Sequence, residues 1–115
     1  MKILVVDDDP SIRMLYKEEL EDEGYDVVVA SSGKQAIELF QQENPDLVTL
    51  DILMPDMDGI QVLRKMKEIK PRLPIVMSTA YDYRDDFAVW ASEAYVVKSS
   101  DTTELKDTIR KLLQK

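Results

Sequence analysis

Five short apolar runs, separated by longer amphipathic stretches, constrain the fold of this chain more than any other feature. The runs are rich in valine, isoleucine, leucine and tyrosine, and they are KILVV (2–6), YDVVVA (25–30), DLVTL (46–50), PIVMS (74–78) and AYVVK (94–98). They are nearly continuous rather than alternating in polarity, which is typical of parallel strands covered on both faces. We therefore predict a five-stranded parallel sheet.

Helix signals occupy the stretches between the runs. Four helices are predicted from caps, helix-ending residues and apolar spacing, and their limits are Asp9-Pro10-Ser11 to Gly24, Ser32 to Asn44-Pro45, about 58–70, and about Asp101 onward. The stretch 81–91 has room for two turns of helix, but its first residues, YDYRDD, are a poor start for a helix. Strands that alternate with helices predict βαβ crossovers, and hence a doubly wound α/β domain with helices on both faces.

Length and composition limit the chemistry. The 115 residues predict one domain over 1–115, with no attached output domain after the last helix. The chain has no cysteine and no histidine, which removes thiolate metal sites and imidazole catalysis. A net charge of −8 argues against direct nucleic-acid binding. No apolar run is long enough to cross a membrane, so we expect a cytoplasmic protein without membrane contact.

Polar residues follow four of the five predicted strands at the end where doubly wound sheets bind ligands. Asp7 and Asp8 follow the first strand, Asp51 the third, Thr79 the fourth, and Lys98 ends the fifth. If the strand order is the common 2-1-3-4-5, the first and third strands are neighbours. The three aspartates are then predicted to converge.

Converging carboxylates repel one another unless a cation binds or their pKa values rise. Because the ligands are oxygen atoms only, a hard ion is expected, and Mg²⁺ fits this small number of carboxylates better than calcium does. An ammonium from Lys98 and a hydroxyl from Thr79 would equip the site to hold a phosphoryl group. In the absence of histidine and cysteine, the nucleophile would be a carboxylate.

The segments ILVVDDD, LDILMPDMDG, IVMSTA and YVVK occur in this order along the chain. On these four segments together the chain resembles the receiver domains of two-component response regulators, which have the flavodoxin-like fold of the single-domain chemotaxis regulators. The resemblance spans nearly the whole chain. It implies that Asp51 is the phosphoacceptor, and that Asp7, Asp8 and the backbone carbonyl of Leu53 help Asp51 to hold Mg²⁺.

The resemblance also implies roles for three residues further along the chain. Thr79 and Lys98 would contact the phosphoryl oxygens, and Tyr95 would be the aromatic switch that moves inward when Thr79 is drawn to the phosphate. The implied donor is a sensor histidine kinase or a phosphotransfer protein, and the implied output is contact with a downstream protein target. On this interpretation the domain is an autocatalytic phosphoacceptor and signalling switch, not a dedicated enzyme.

The chain departs from the family pattern around its fifth strand. Lys98-Ser99 replaces the usual Lys-Pro, whose peptide bond is cis, and a cis bond before a residue other than proline costs about 2.5–4 kcal/mol. The stretch from Thr79 to Lys98 is several residues shorter than usual, so the fourth helix of the family is predicted to be shortened or irregular. Leu53 and Tyr81, two residues beyond Asp51 and Thr79, are poor general bases, which predicts a long-lived phosphoryl state.

Two other functions stay open at the level of the sequence. The spacing of Asp7 and Asp9 could serve a Mg²⁺-dependent phosphatase with an aspartyl nucleophile, although no segment is long enough to enclose a substrate. The domain could also bind partners without being phosphorylated. Of the remaining acidic residues, Asp9 is predicted to start the first helix, and Asp56 and Asp58 to cap the third.

Overall fold

The computed structural model describes residues 1–52, 54, 56, 58–79, 94–97 and 101–114, with only the backbone of Thr79, Ala94, Tyr95 and Val97. The strands are β1 (Lys2–Val6), β2 (Asp26–Ala30), β3 (Leu47–Asp51), β4 (Ile75–Thr79) and β5 (Ala94–Val97). The helices within the described ranges are α1 (Pro10–Asp22), α2 (Gly33–Glu43), α3 (Gly59–Ile69) and α4 (Thr103–Leu113).

The five strands form one sheet in the order β2-β1-β3-β4-β5, and every neighbouring pair is parallel. The predicted strand order and direction are therefore confirmed. Val6 pairs with Leu50, and Asp51 pairs with Ser78, so the ends of β1, β3 and β4 lie side by side. We call this side of the sheet, where the strands end, the carboxyl edge, and the opposite side the amino edge.

Alternation along the strands divides the core between the two faces of the sheet. One face packs against α2 and α3 and contains buried residues such as Val48, Leu50 and Phe40. The other packs against α1 and α4 and contains buried residues such as Val5, Leu20 and Ile109. The helices therefore cover both faces, as the continuous apolar runs predicted, and only the two edges remain for polar chemistry.

The helices begin and end at residues with identifiable roles. The side chains of Asp9, Ser32 and Asp58 cap the amino ends of α1, α2 and α3 by accepting hydrogen bonds from backbone amides. At the other end of α2, Asn44 adopts a left-handed conformation with φ of 50°, which ends the helix before Pro45. The predicted limits of these helices are thus confirmed to within one or two residues.

Several expectations fall on residues outside the described ranges. These are the shortened fourth helix of the family, which would lie within 81–93, and the conformation of the Lys98-Ser99 peptide bond. None of the helices in the described part of the chain combines the length and the apolar composition needed to cross a membrane.

Candidate functional site

The carboxyl edge brings together the three aspartates that the sequence singled out. One carboxylate oxygen each from Asp7, Asp8 and Asp51 can be chosen so that all three atoms lie within 4.8 Å of one another. Asp7 directly follows β1, and Asp51 is the last residue of β3. Because β1 and β3 are adjacent and parallel, the strand order itself produces this convergence.

The three carboxylates differ in their exposure to solvent. Asp7 is 1% exposed and Asp51 is 3% exposed, whereas Asp8 is exposed. The two buried side chains form the inner wall of the cluster, and Asp8 forms its open side. The packed strand ends therefore fix the positions of the two inner carboxylates.

Hydrogen bonds to the start of α1 hold Asp7 in place. The Asp7 carboxylate accepts from the backbone N–H of Asp9 at 2.9 Å, and the Asp7 carbonyl accepts from Nη1 of Arg13 at 2.7 Å. The carboxylate of Asp9 accepts from the N–H of Ser11 at 2.9 Å and caps the helix. Asp9 therefore acts as a helix cap, as predicted, and does not join Asp7 as the second carboxylate that a phosphatase of the aspartyl type would need.

A glycine allows α3 to approach the backbone of Asp51. The N–H of Gly59 donates to the carbonyl oxygen of Ile52 at 2.7 Å. A Cβ atom at position 59 would lie 2.6 Å from Cα of Ile52 and 2.9 Å from the carbonyl carbon of Asp51, closer than real Cβ contacts. The sequence showed this glycine only as part of the loop after Asp51. Its role in close packing beneath the site depends on a contact that spacing does not reveal.

Asp56 has a different role from the predicted one. Its carboxylate accepts from the backbone N–H groups of Gly33 and Lys34 at 3.0 and 3.2 Å, so it caps α2 rather than α3. Asp58 caps α3 by accepting from the N–H of Ile60 at 2.9 Å. The prediction for Asp56 was wrong because the helix whose amide groups its carboxylate accepts from begins more than twenty residues earlier in the chain. This contact ties the loop that follows Asp51 to the start of α2.

The other residues implied by the resemblance are not described at the level of their side chains. Leu53 and Lys98 lie outside the described residues. The backbones of Thr79 and Tyr95 are described, and Thr79 is the last residue of β4 at the carboxyl edge. Tyr95 lies in β5 and pairs with Met77 of β4.

The described part of the site is a set of hard oxygen ligands. Two buried carboxylates and one exposed carboxylate suit a small divalent cation that retains part of its water shell, and this donor set fits Mg²⁺. Such a cation would also offset the mutual repulsion of the three charges. The arrangement is thus suited to binding a small divalent cation.

The fold and the acidic cluster together define a doubly wound α/β domain with carboxylate chemistry at the carboxyl edge of its sheet. The model of the response regulator receiver domain family matches residues 3–110. The chain belongs to this family, and it is a receiver domain of the two-component type. The resemblance seen in the four sequence segments is thereby confirmed.

Solved structures support the same assignment. The response regulator protein TrrA from Thermotoga maritima, crystallised in complex with Mg²⁺–BeF, is 46% identical and superimposes with a TM-score of 0.93, covering 96% of this chain and 97% of that one. A crystal structure of TrrA in complex with the histidine kinase ThkA gives 47% identity and a TM-score of 0.92, with 97% of each chain covered.

Curated relatives include proteins of different lengths. Sporulation initiation phosphotransferase F from Bacillus subtilis is 37% identical over 97% of this chain and 93% of its own length. The alkaline phosphatase synthesis transcriptional regulatory protein PhoP from the same organism is also 37% identical, over 99% of this chain but 49% of its own length. The chain thus spans about half the length of the second relative and nearly all of the first.

Proposed function

We propose that this receiver domain accepts a phosphoryl group on the carboxylate of Asp51. The observation that carries the proposal is the convergence of Asp51 with Asp7 and Asp8 at the carboxyl edge, with ligand atoms within 4.8 Å. The match to the receiver family over residues 3–110 supports it independently. We further propose that residues 1–115 form a single receiver domain.

The transfer moves a phosphoryl group from a nitrogen atom to an oxygen atom. A carboxylate oxygen of Asp51 attacks the phosphorus atom of a phosphohistidine on a sensor histidine kinase or phosphotransfer protein. The new O–P bond forms as the N–P bond of the donor breaks, and the donor imidazole keeps the bonding electron pair and takes up a proton. Burial of Asp51 at a packed strand end limits the directions from which its oxygen can react.

The ligand set proposed for Mg²⁺ comprises Asp7, Asp8, Asp51 and the backbone carbonyl of Leu53. When bound, the ion neutralises charge on the group in transfer. Asp7 is held for this role by its hydrogen bond from the N–H of Asp9.

The remaining proposed roles follow from the family resemblance. Lys98 pairs with a phosphoryl oxygen, Thr79 donates its hydroxyl to another, and Tyr95 moves inward behind Thr79 to change the surface that meets a downstream protein. The complex of TrrA with the kinase ThkA supports a histidine kinase as partner. A cytoplasmic location, switching rather than enzymatic turnover as the purpose of the domain, and a long-lived phosphoryl state stay predictions.

Phosphorylation can be tested by mass measurement. The purified protein is incubated with Mg²⁺ and acetyl phosphate, and the added mass of a phosphoryl group is measured on the intact protein. Borohydride then reduces the acyl phosphate, which releases phosphate and converts the modified aspartate to homoserine, and peptide mapping locates this homoserine. We expect the wild type to gain one phosphoryl group at Asp51. Asp51→Asn removes the nucleophilic oxygen and is expected to gain none.

Asp26→Asn provides the matched control, because Asp26 is an exposed aspartate at the opposite edge of the sheet, at the start of β2. This variant should be labelled like the wild type. A wild-type protein that stays unlabelled with acetyl phosphate and with a phosphorylated kinase would contradict the proposal and favour a binding module that works without phosphorylation.

A further inference from the structure

A buried hydrogen bond joins α1 to the end of β4. The hydroxyl oxygens of Tyr16 and Ser78 lie 2.7 Å apart, the usual distance for an O–H···O bond. Each residue is only 2% exposed. Because a buried hydroxyl that loses its partner is unfavourable, the bond resists separation of the two groups. It therefore fixes the position of Ser78 relative to α1.

Ser78 is a direct neighbour of the proposed phosphoacceptor. It pairs with Asp51 across the β3–β4 ladder, and paired residues of parallel strands direct their side chains to the same face. Neighbouring strands are about 4.8 Å apart. Ser78 also directly precedes Thr79 along the chain. The hydrogen bond between Tyr16 and Ser78 thus acts at the border of the acidic site.

The same helix is attached to a second strand end. Arg13, one helical turn before Tyr16, donates from Nη1 to the carbonyl oxygen of Asp7 at 2.7 Å. In the sheet, β3 lies between β1 and β4. One side of α1 therefore contacts the strand ends on both sides of Asp51, through a backbone carbonyl on one side and a side-chain hydroxyl on the other.

We propose that Tyr16 and Ser78 are positioning residues for phosphoryl transfer, an inference that rests on the proposed function of Asp51. The pair holds the end of β4 against α1, and so fixes Thr79 at a set distance from the carboxylate. Small displacements of a group that contacts the transferred phosphoryl reduce the rate strongly. Tyr16 itself does not contact the phosphoryl group. Its effect passes through Ser78 and the strand.

The test compares labelling rates of folded variants. Tyr16→Phe removes the hydroxyl and keeps the ring, and we expect the initial rate of labelling by acetyl phosphate at saturating Mg²⁺ to fall roughly three- to tenfold, the range for loss of one hydrogen bond. The apparent affinity for Mg²⁺ should stay unchanged, because the three aspartates are intact. Ser78→Thr, which keeps a hydroxyl, should retain a rate near that of the wild type.

If the effects of the two substitutions on the labelling rate are not additive, the hydrogen bond between Tyr16 and Ser78 is the cause of the slower labelling. Ser78→Ala should lower the rate as Tyr16→Phe does, and the double variant should be no slower than either single variant. If Tyr16→Phe does not fold, Ser78→Ala alone gives the comparison with Ser78→Thr. Ile3→Val is the control for stability, since Ile3 is buried in the same cluster at the other end of β1. It should lower the free energy of unfolding without changing the labelling rate.

The outcomes separate the two proposals. If the wild type is labelled on Asp51 and both Tyr16→Phe and Ser78→Ala are labelled equally fast, the hydrogen bond is structural only and the positioning role is overturned. If neither acetyl phosphate nor a phosphorylated kinase labels the wild type, the proposed function fails, and the positioning role fails with it. If Ile3→Val slows labelling as much as Tyr16→Phe does, the positioning role is also overturned, because general destabilisation would then be sufficient to explain the slower labelling.

Discussion

Strand β3 is preceded by Asp46 and ends on Asp51, and the two carboxylates have different surroundings. Asp46 lies at the amino edge, is exposed, and accepts a hydrogen bond from the backbone N–H of Lys2 at 2.7 Å. Asp51 lies at the carboxyl edge, is 3% exposed, and has two further carboxylates close by. Only five positions separate them in the sequence, yet one accepts a hydrogen bond from the start of the neighbouring strand β1 and the other is part of a cluster of like charges.

The difference extends to the rest of each edge. At the amino edge, Nζ of Lys2 also lies 3.9 Å from a carboxylate oxygen of Glu43, so opposite charges alternate there. Exposed ion pairs of this kind change the free energy of unfolding by little in either direction. Carboxylates gathered at the carboxyl edge repel one another, which is unfavourable in the absence of a cation. A cluster of like charges is therefore a better indicator of a functional site than a set of charges that are paired with opposite ones.

The largest effect is expected from glycine substitutions at the two edges. Gly59→Ala at the carboxyl edge places a methyl group against the backbone of Ile52 and Asp51. We expect the free energy of unfolding to fall by about 3 kcal/mol, the upper part of the range for overpacking, and labelling of Asp51 to be lost or strongly slowed. Urea unfolding and the acetyl phosphate assay measure the two effects.

Gly24→Ala is the matched substitution at the amino edge. Gly24 has φ of +95°, and a Cβ atom at this position would meet no other atom within 4 Å, so the substitution strains the backbone without a clash. A cost of about 1 kcal/mol is expected, with no change in the labelling rate of the folded protein. Equal losses of labelling in both variants would contradict the idea that Gly59 acts on the site.

The next largest effect is the stabilisation of the folded protein by Mg²⁺. With Mg²⁺ at ten times its dissociation constant, the wild type should gain about 1.4 kcal/mol in free energy of unfolding over the value with chelator. Asp8→Asn removes one exposed ligand and should lose most of this gain, whereas Asp46→Asn should keep it. The measurement is urea unfolding with and without Mg²⁺. A gain that survives in Asp8→Asn would remove Asp8 from the proposed ligand set.

The sequence predicted the parts of the fold that depend on periodicity and on local caps. Continuous apolar runs predicted parallel strands covered on both faces. The residues at the strand ends predicted the convergence of Asp7, Asp8 and Asp51 on the assumption of the common strand order 2-1-3-4-5, which places β1 beside β3. Asp9 and Asp58 were identified as caps because each accepts from an amide two residues later in the chain.

The contacts that the sequence did not predict join residues far apart in the chain. Asp56 caps a helix that begins 23 residues earlier, and Tyr16 bonds to a serine 62 residues later. Either residue has an ordinary local explanation, as a helix cap or as a core aromatic. Only the packing of α1 and α2 against the sheet decides which partner each one meets, so residue spacing could not reveal these roles.

The corrected role of Asp56 predicts a specific pattern of amide exchange. Asp56→Ala should destabilise the protein by about 1 kcal/mol, as expected for loss of a helix cap, and should speed hydrogen exchange at the amides of Gly33 and Lys34. Asp58→Ala should instead speed exchange at Ile60, in α3. Exchange measured by NMR separates the two. Faster exchange at Ile60 in Asp56→Ala, with Gly33 and Lys34 unchanged, would restore the prediction made from sequence alone.

The smallest effect concerns a carboxylate on the connection from β5 to α4. The hydroxyl of Thr103 donates to the Asp101 carboxylate at 2.6 Å, and the Thr103 amide donates at 3.0 Å; these bonds hold the pKa of Asp101 below its usual value. Because the pKa is lower in the folded state, the small stabilising contribution is complete above the usual aspartate range and is lost as the pH falls through the lowered value. Thr103→Ala should raise the titration midpoint of Asp101 in an NMR titration, since the hydroxyl is the largest cause. A midpoint that does not move would mean that the hydroxyl of Thr103 does not lower the pKa of Asp101.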